Sequence, residues 1–194
     1  PTLLVRSLSR TSLTLPIRIA VVALAVALTA AAAQFTMPVP LTAVPFTLTP
    51  LAVLLTGAAL GSRLGALTQV MYVTAGALGL AVFSPSATLP SGWLRLVGPT
   101  GGYLMAYPLA AFATGWLAER GWDRRYATSL VAMLVGLAII YLGGVSWLVA
   151  AFQPSLPSAI AAGIAPFVAL DLLKALAAGW VLPRTWRLIG RRGN

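Results

Sequence analysis

The sequence predicts an all-α integral membrane protein of six transmembrane helices with both termini in the cytoplasm. Three observations carry that prediction. Hydrophobic residues make up 59% of the 194 and charged residues only 8%, with a mean hydropathy of +0.92, too apolar for a soluble domain of ordinary composition. Apolar stretches recur along the whole chain, separated by clusters of Gly, Pro and Arg. The basic residues are also asymmetric. When the ends of the stretches are placed alternately inside and outside, Arg6, Arg10, Arg18, Arg63, Arg120, Arg124, Arg125, Arg184, Arg187, Arg191 and Arg192 fall on one side. That leaves Arg95 alone outside and Lys174 within the membrane, so the positive-inside rule orients the chain. The same asymmetry accounts for the net charge of +10 with the bilayer as the anionic partner and no nucleic acid.

The first span, about 17–34, follows a basic leader from Pro1 to Arg18 and runs free of charge through Ala33. A signal peptide competes here, because Ala31, Ala32 and Ala33 before Gln34 resemble a cleavage site; both readings leave Gln34 outside. Small residues Ala20, Ala23, Ala27 and Ala31 recur at spacings of three and four. Such a stripe lets another helix approach closely in lipid, either within the bundle or from a separate subunit. The loop 35–50 holds Pro38, Pro40, Pro45 and Pro50 but no charge. It is expected to fold back over the outer end of the bundle, where protein satisfies its backbone.

The second apolar run, 51–60, is short, roughly 15 Å against a hydrocarbon core of about 30 Å. A short, proline-preceded segment points to a binding site in a transporter. Gly61 to Gly65 breaks the pattern, and 66–83 resumes it as a third span. Ser84 to Leu96 is a turn-rich outer connection. Gly98-Pro99-Thr100-Gly101-Gly102-Tyr103 opens the fourth span, 101–117, and the arginine-rich stretch Glu119 to Arg125 leads to the fifth, 126–151. The sixth, 158–182, is expected to stop at Pro183. No repeat or second domain divides the chain.

Asp171 and Lys174 lie inside that last span. Three residues apart on a helix, they share a face, and each costs roughly 2.5–3.5 kcal/mol at the centre of a spanning helix. They form either a structural ion pair or a ligand site, and counting down to Pro183 places Asp171 about 18 Å from the inner face, slightly into the outer half. The chain contains no Cys, no His and one Lys. The usual zinc sites, disulfides and Ser-His or Cys-His nucleophile pairs are therefore excluded, as is a P-loop, because Lys174 follows Asp-Leu-Leu. These absences point away from an enzyme. The run Gly98 to Tyr103 is either a plain turn into a helix or an anion site at a helix N-terminus, where Gly101 and Gly102 admit close approach. Arg95, just upstream, is either an interfacial anchor or a second group for an anionic ligand.

Three motifs then occur in order. Met37-Pro38-Val39-Pro40 with Val44-Pro45-Phe46-Thr47-Leu48, the glycine run to Tyr103, and Asp171-Leu172-Leu173-Lys174-Ala175-Leu176 together resemble the BioY family. These are the biotin-binding S components of energy-coupling-factor (ECF) transporters, in the bacterial cytoplasmic membrane. The likeness is clearest from Gln34 to Leu176. Thr49 departs from it, where the family pattern has glutamine, and Ser84 to Leu94 is poorer in glycine. The resemblance implies an S-component fold that captures biotin from outside under the loop 35–50. It implies no cofactor, and as partners a transmembrane coupling protein, met through the alanine stripe, with two ATPases that alone use ATP. Asp171 and Lys174 are then expected at the ureido ring, Phe46, Tyr72 and Tyr103 along the thioether ring and carbon chain, and Arg95 or the amides around Thr100 at the carboxylate. An S component for another vitamin and a self-sufficient proton-coupled carrier are the alternatives.

Overall fold

A computed structural model of the chain describes residues 15–39, 42, 44–86, 89–152 and 155–191, with side chains described as far as 185. Arg6, Arg10, Pro40 and Arg192, and the side chains of Arg187 and Arg191, lie outside the described residues. The rest is almost wholly helical. In chain order the elements are α1 (Leu15–Gln34), β1 (Thr36–Met37), β2 (Phe46–Thr47), α2 (Thr49–Leu60), α3 (Ser62–Ala77), α4 (Leu94–Val97), α5 (Gly101–Glu119), α6 (Tyr126–Ala151), α7 (Leu156–Gly163) and α8 (Val168–Arg191). Two of them, α1 and α6, are each long and apolar enough to cross a membrane, and α7 with α8 makes a third candidate as a pair bent by 54°.

Small residues set how closely the helices approach. The α2–α3 break is confined to Gly61, whose φ of +88° is a conformation that side chains disfavour, and the two helices fold back on each other with Gly57 against Gly65. A Cβ on Gly57 would run into the Ala111 carbonyl of α5, and one on Gly115 would come 2.8 Å from the Gly57 carbonyl. Backbone-to-backbone contact of this kind is how helices associate in lipid, where apolar burial gives no advantage over the acyl chains. At the same end, both oxygens of Glu119 accept from Ser62: Oε1 takes the backbone N–H at 2.8 Å and the hydroxyl lies 3.0 Å from each. The carboxylate thus caps α3 and opposes its dipole. Glu119→Gln is expected to lower the unfolding midpoint in detergent by about 2–4 °C, the size of a lost cap of about 1 kcal/mol. Two arginines at this end stack on tryptophans one turn back, Arg120 over Trp116 at 3.3 Å and Arg184 over Trp180 at 3.1 Å, a cation–π pairing suited to a membrane interface.

Two of the expected spans are bounded differently in the structure. The helix expected over 66–83 starts at Ser62 and ends at Ala77, because the chain turns at Gly79 (φ +99°) and brings Phe83 back against Gly76 and Tyr72. The stretch 158–182 is two helices. Pro166 has no N–H and disfavours helical backbone at Ala165, so the chain bends between Gly163 and Val168. Nor does Pro183 stop α8, which continues to Arg191. Proline inside a membrane helix is tolerated where neighbouring groups satisfy the freed backbone; the carbonyl that Pro183 leaves without its helical N–H donor is that of Gly179, four residues back.

Candidate functional site

At the end opposite Glu119, the segment 35–48 closes as a two-residue antiparallel ladder, Thr36 against Thr47 and Met37 against Phe46. Proline flanks it and cannot extend a ladder, which keeps the hairpin short. Beneath it lies a cavity whose walls come from the hairpin, from α3, α5 and α6, and from the bend before α8. The wall is mainly aromatic. Tyr72 is fully buried and meets Phe83 edge to face at 5.5 Å and Tyr107 at 6.4 Å, with Phe46, Tyr103 and Phe167 completing the lining. The Tyr72 hydroxyl donates to the Val82 carbonyl at 3.2 Å and that of Tyr103 to the Gly163 carbonyl at 2.8 Å, so both rings are fixed.

Asp171 stands in the first turn of α8. That position exists only because the chain bends at Pro166, and it sets a carboxylate at the positive end of a new helix. Its side chain is 5% exposed. Oδ1 accepts from Lys174 Nζ at 2.7 Å and Oδ2 from the Tyr141 hydroxyl at 2.6 Å. A carboxylate has roughly four lone-pair sites, which leaves acceptor capacity toward the cavity that Asp171 lines. Lys174 is placed differently. Its ammonium also donates to the Thr47 carbonyl at 2.6 Å and sits 3.7 Å from the Phe46 ring centroid. With three donors in all, it is occupied by the carboxylate, the hairpin and the ring, and it is not among the residues lining the cavity.

Arg95 is buried in the wall between this cavity and a second, outer one formed by Pro38, Val39, Pro85, Leu89 and Pro99. Both cavities share Val44, Pro45, Arg95 and Thr100. One guanidinium nitrogen donates to the Ser84 carbonyl at 2.8 Å and to its hydroxyl at 3.2 Å, while Nε has no partner. Burial lowers the Arg95 pKa from its ordinary value, but that value is so high that the group stays a cation.

Of the residues singled out in the sequence, the structure brings Phe46, Thr47, Tyr72, Arg95, Thr100, Tyr103 and Asp171 to one cavity, with Lys174 directly behind it. The glycines do not line it. Gly98 accepts the Trp147 indole N–H at 2.9 Å, a Cβ on Gly101 would strike the Leu96 carbonyl, and one on Gly102 would strike Trp147 and the Gly143 carbonyl. Gly101 and Gly102 are glycine so that α4 and α6 can lie against α5, and Thr100 and Tyr103 are the members of that run that reach the cavity. Sequence reasoning missed Tyr107, Tyr141, Ile140 and Phe167, which read as ordinary apolar positions in their spans. Thr49, noted only as a departure, is buried in the cavity wall. Ala20, Ala23, Ala27 and Ala31 are exposed, whereas α1 buries Ala25, Thr29 and Ala33.

Comparison with known proteins supplies the context. The family model described as the BioY family matches residues 7–191. The chain is 40% identical over 150 residues to the biotin transporter BioY of Thermotoga maritima, covering 77% of this chain and 85% of that one. It is 42% identical over 160 residues to the probable biotin transporter BioY of Pyrococcus horikoshii, covering 82% and 90%. In fold it is similar to a crystal structure of the S-component for biotin from an ECF-type ABC transporter, with a TM-score of 0.79, 19% identity, and coverage of 91% of this chain and 95% of that one.

Proposed function

This chain belongs to the BioY family, and from that membership we propose that it captures biotin from the outer side of the membrane as the S component of an ECF transporter. It is a transport protein and not an enzyme. The observation that carries the reading is Asp171, a buried carboxylate with spare acceptor capacity, at the base of an aromatic cavity closed by a hairpin. Biotin's ureido N–H groups donate to Asp171. Lys174 holds that carboxylate and the hairpin in register, acting as a positioning residue. The fused ring and carbon chain run along Phe46, Tyr72, Tyr103 and Tyr107, and the carboxylate reaches Arg95 and Thr100, where the two cavities meet.

The chain crosses the cytoplasmic membrane six times with both termini inside, the crossings being α1, α2, α3, α5, α6 and the bent pair α7–α8. Arg63 and Arg120 support this orientation, since the Ser62–Glu119 cap brings them to one end, and the cavity with Arg95 lies at the other. The exposed alanines Ala20, Ala23, Ala27 and Ala31 offer a coupling protein a face for close approach. That protein and its two ATPases supply the energy.

The test is mass spectrometry of ligand released from protein purified without added vitamin. Biotin near one per chain is expected; thiamine or niacin in its place, or no biotin bound even after addition, overturns the reading. Arg95 makes a finer prediction. Arg95→Gln is expected to weaken biotin about tenfold, the scale of one hydrogen bond to a charged group, and to change the affinity for biotin methyl ester by less than about twofold. Equal losses for acid and ester would assign Arg95 to holding Ser84 alone.

A further inference from the structure

A groove runs between α1 and α3 on the outside of the bundle, away from the biotin cavity. Val22 and Val26 of α1 and Leu67 and Met71 of α3 line it, and Arg18 stands at one end. The two helices are parallel, since Thr29 meets Gln69 at 3.4 Å and, farther along, Gln34 Nε2 donates to the Phe83 carbonyl at 3.3 Å. Residues four apart on a helix lie on one face. Arg18, Val22 and Val26 therefore make one stripe, and Arg63, Leu67 and Met71 make a second. Each begins with an arginine and continues as aliphatic side chain, and parallel helices put both arginines at the same end.

Both guanidinium groups are exposed and have no hydrogen-bond, ion-pair or ring partner among the described residues. Arg120 and Arg184 at that end are, in contrast, each stacked on a tryptophan. Nor does Glu119 pair with either of them: no ion pair within 4.0 Å joins it to Arg18 or Arg63 among the described residues. An unpartnered Arg18 at the mouth of an apolar groove, with an unpartnered Arg63 one turn before Leu67 at the same end, matches the chemistry of one amphiphile, an acidic head followed by a hydrocarbon tail. Basic pockets between membrane helices on the cytoplasmic side bind anionic headgroups on that principle.

We propose that this groove holds an anionic phospholipid of the cytoplasmic leaflet, its phosphate between Arg18 and Arg63 and an acyl chain along Val22, Val26, Leu67 and Met71. The assignment of leaflet rests on the orientation proposed above; the site itself does not depend on biotin. Ala23 also lines the groove, so the lipid lies beside the face proposed for the coupling protein.

The experiment is native mass spectrometry of the full chain in neutral detergent with equimolar phosphatidylglycerol and phosphatidylcholine. Phosphatidylglycerol adducts are expected to exceed phosphatidylcholine adducts at least about tenfold, and R18Q/R63Q to bring the two within about twofold. Biotin affinity of the same double variant is expected to be unchanged, because neither arginine lines the cavity. If biotin is bound normally but the two lipids bind equally, or the preference survives R18Q/R63Q, the lipid site is refuted and biotin capture stands. Inorganic phosphate that competes as well as the lipid does, or a chain dimer with no lipid retained, also refutes it.

Discussion

Asp171→Asn is expected to weaken biotin binding by at least about 100-fold, measured by titration calorimetry on purified protein. The side chain accepts from Lys174 and from Tyr141 at the same time. An amide offers one acceptor oxygen, and its NH2 must face either an ammonium or a hydroxyl that needs to donate. The ammonium of Lys174 is then left buried without its counter-charge, a change that costs on the order of 3–5 kcal/mol in proteins. Pairing it with Lys174→Met separates ligand contact from support. The double variant removes the orphaned cation, so it is expected to recover thermal stability relative to Asp171→Asn alone while affinity stays low. If Asp171→Asn and Lys174→Met each left affinity unchanged, the pair would be a structural bridge with no role at the ligand.

The largest effect on the fold is expected at Gly57. Three helices meet there with backbone against backbone: α3 through Gly65, and α5 through Ala111 and Gly115. Gly57→Leu places a side chain where the nearest atoms are main-chain ones that cannot change rotamer. Overpacking a tight core costs about 1–3 kcal/mol when side chains can give way, and more where they cannot. Detergent-solubilised Gly57→Leu is expected to elute largely as aggregate in size-exclusion chromatography, with Gly57→Ala showing a milder loss. A sharp Gly57→Leu peak with unaltered biotin affinity would show that the three helices do not need this contact.

Much of the site could be read from the chain because charge is conspicuous in a membrane segment. Asp171 and Lys174 are the only ionised pair inside an apolar span, and their spacing already implied one face. The motifs placed Phe46, Thr47 and Tyr103 near them. Hydropathy could not separate Tyr107 and Tyr141 from tyrosines facing lipid, because a tyrosine lowers the hydropathy of a span by the same amount whichever way it points. The bend before α8 did leave a signal, Gly163 and Pro166 three residues apart, which was masked by the continuous apolar pattern on either side. Pro183 misled in the opposite sense, since the missing N–H and the clash of the ring with the preceding turn can kink a helix without ending it. The glycine run misled for another reason. A glycine needed for close helix packing and one needed for close ligand approach obey the same steric demand, and only the atoms facing Gly101 and Gly102 tell them apart.

The bond from Lys174 to the Thr47 carbonyl joins positions 127 residues apart in sequence. During synthesis the hairpin emerges early, and its tether belongs to the last helix of the chain. Five of the six proposed crossings can therefore be in place while the proposed vitamin site still lacks the Asp171 carboxylate, the Lys174 tether and the bend that carries them. On the proposed reading, competence to capture arises in one late step, when α8 docks, and a chain cut before Asp171 would lack both that carboxylate and the Lys174 tether.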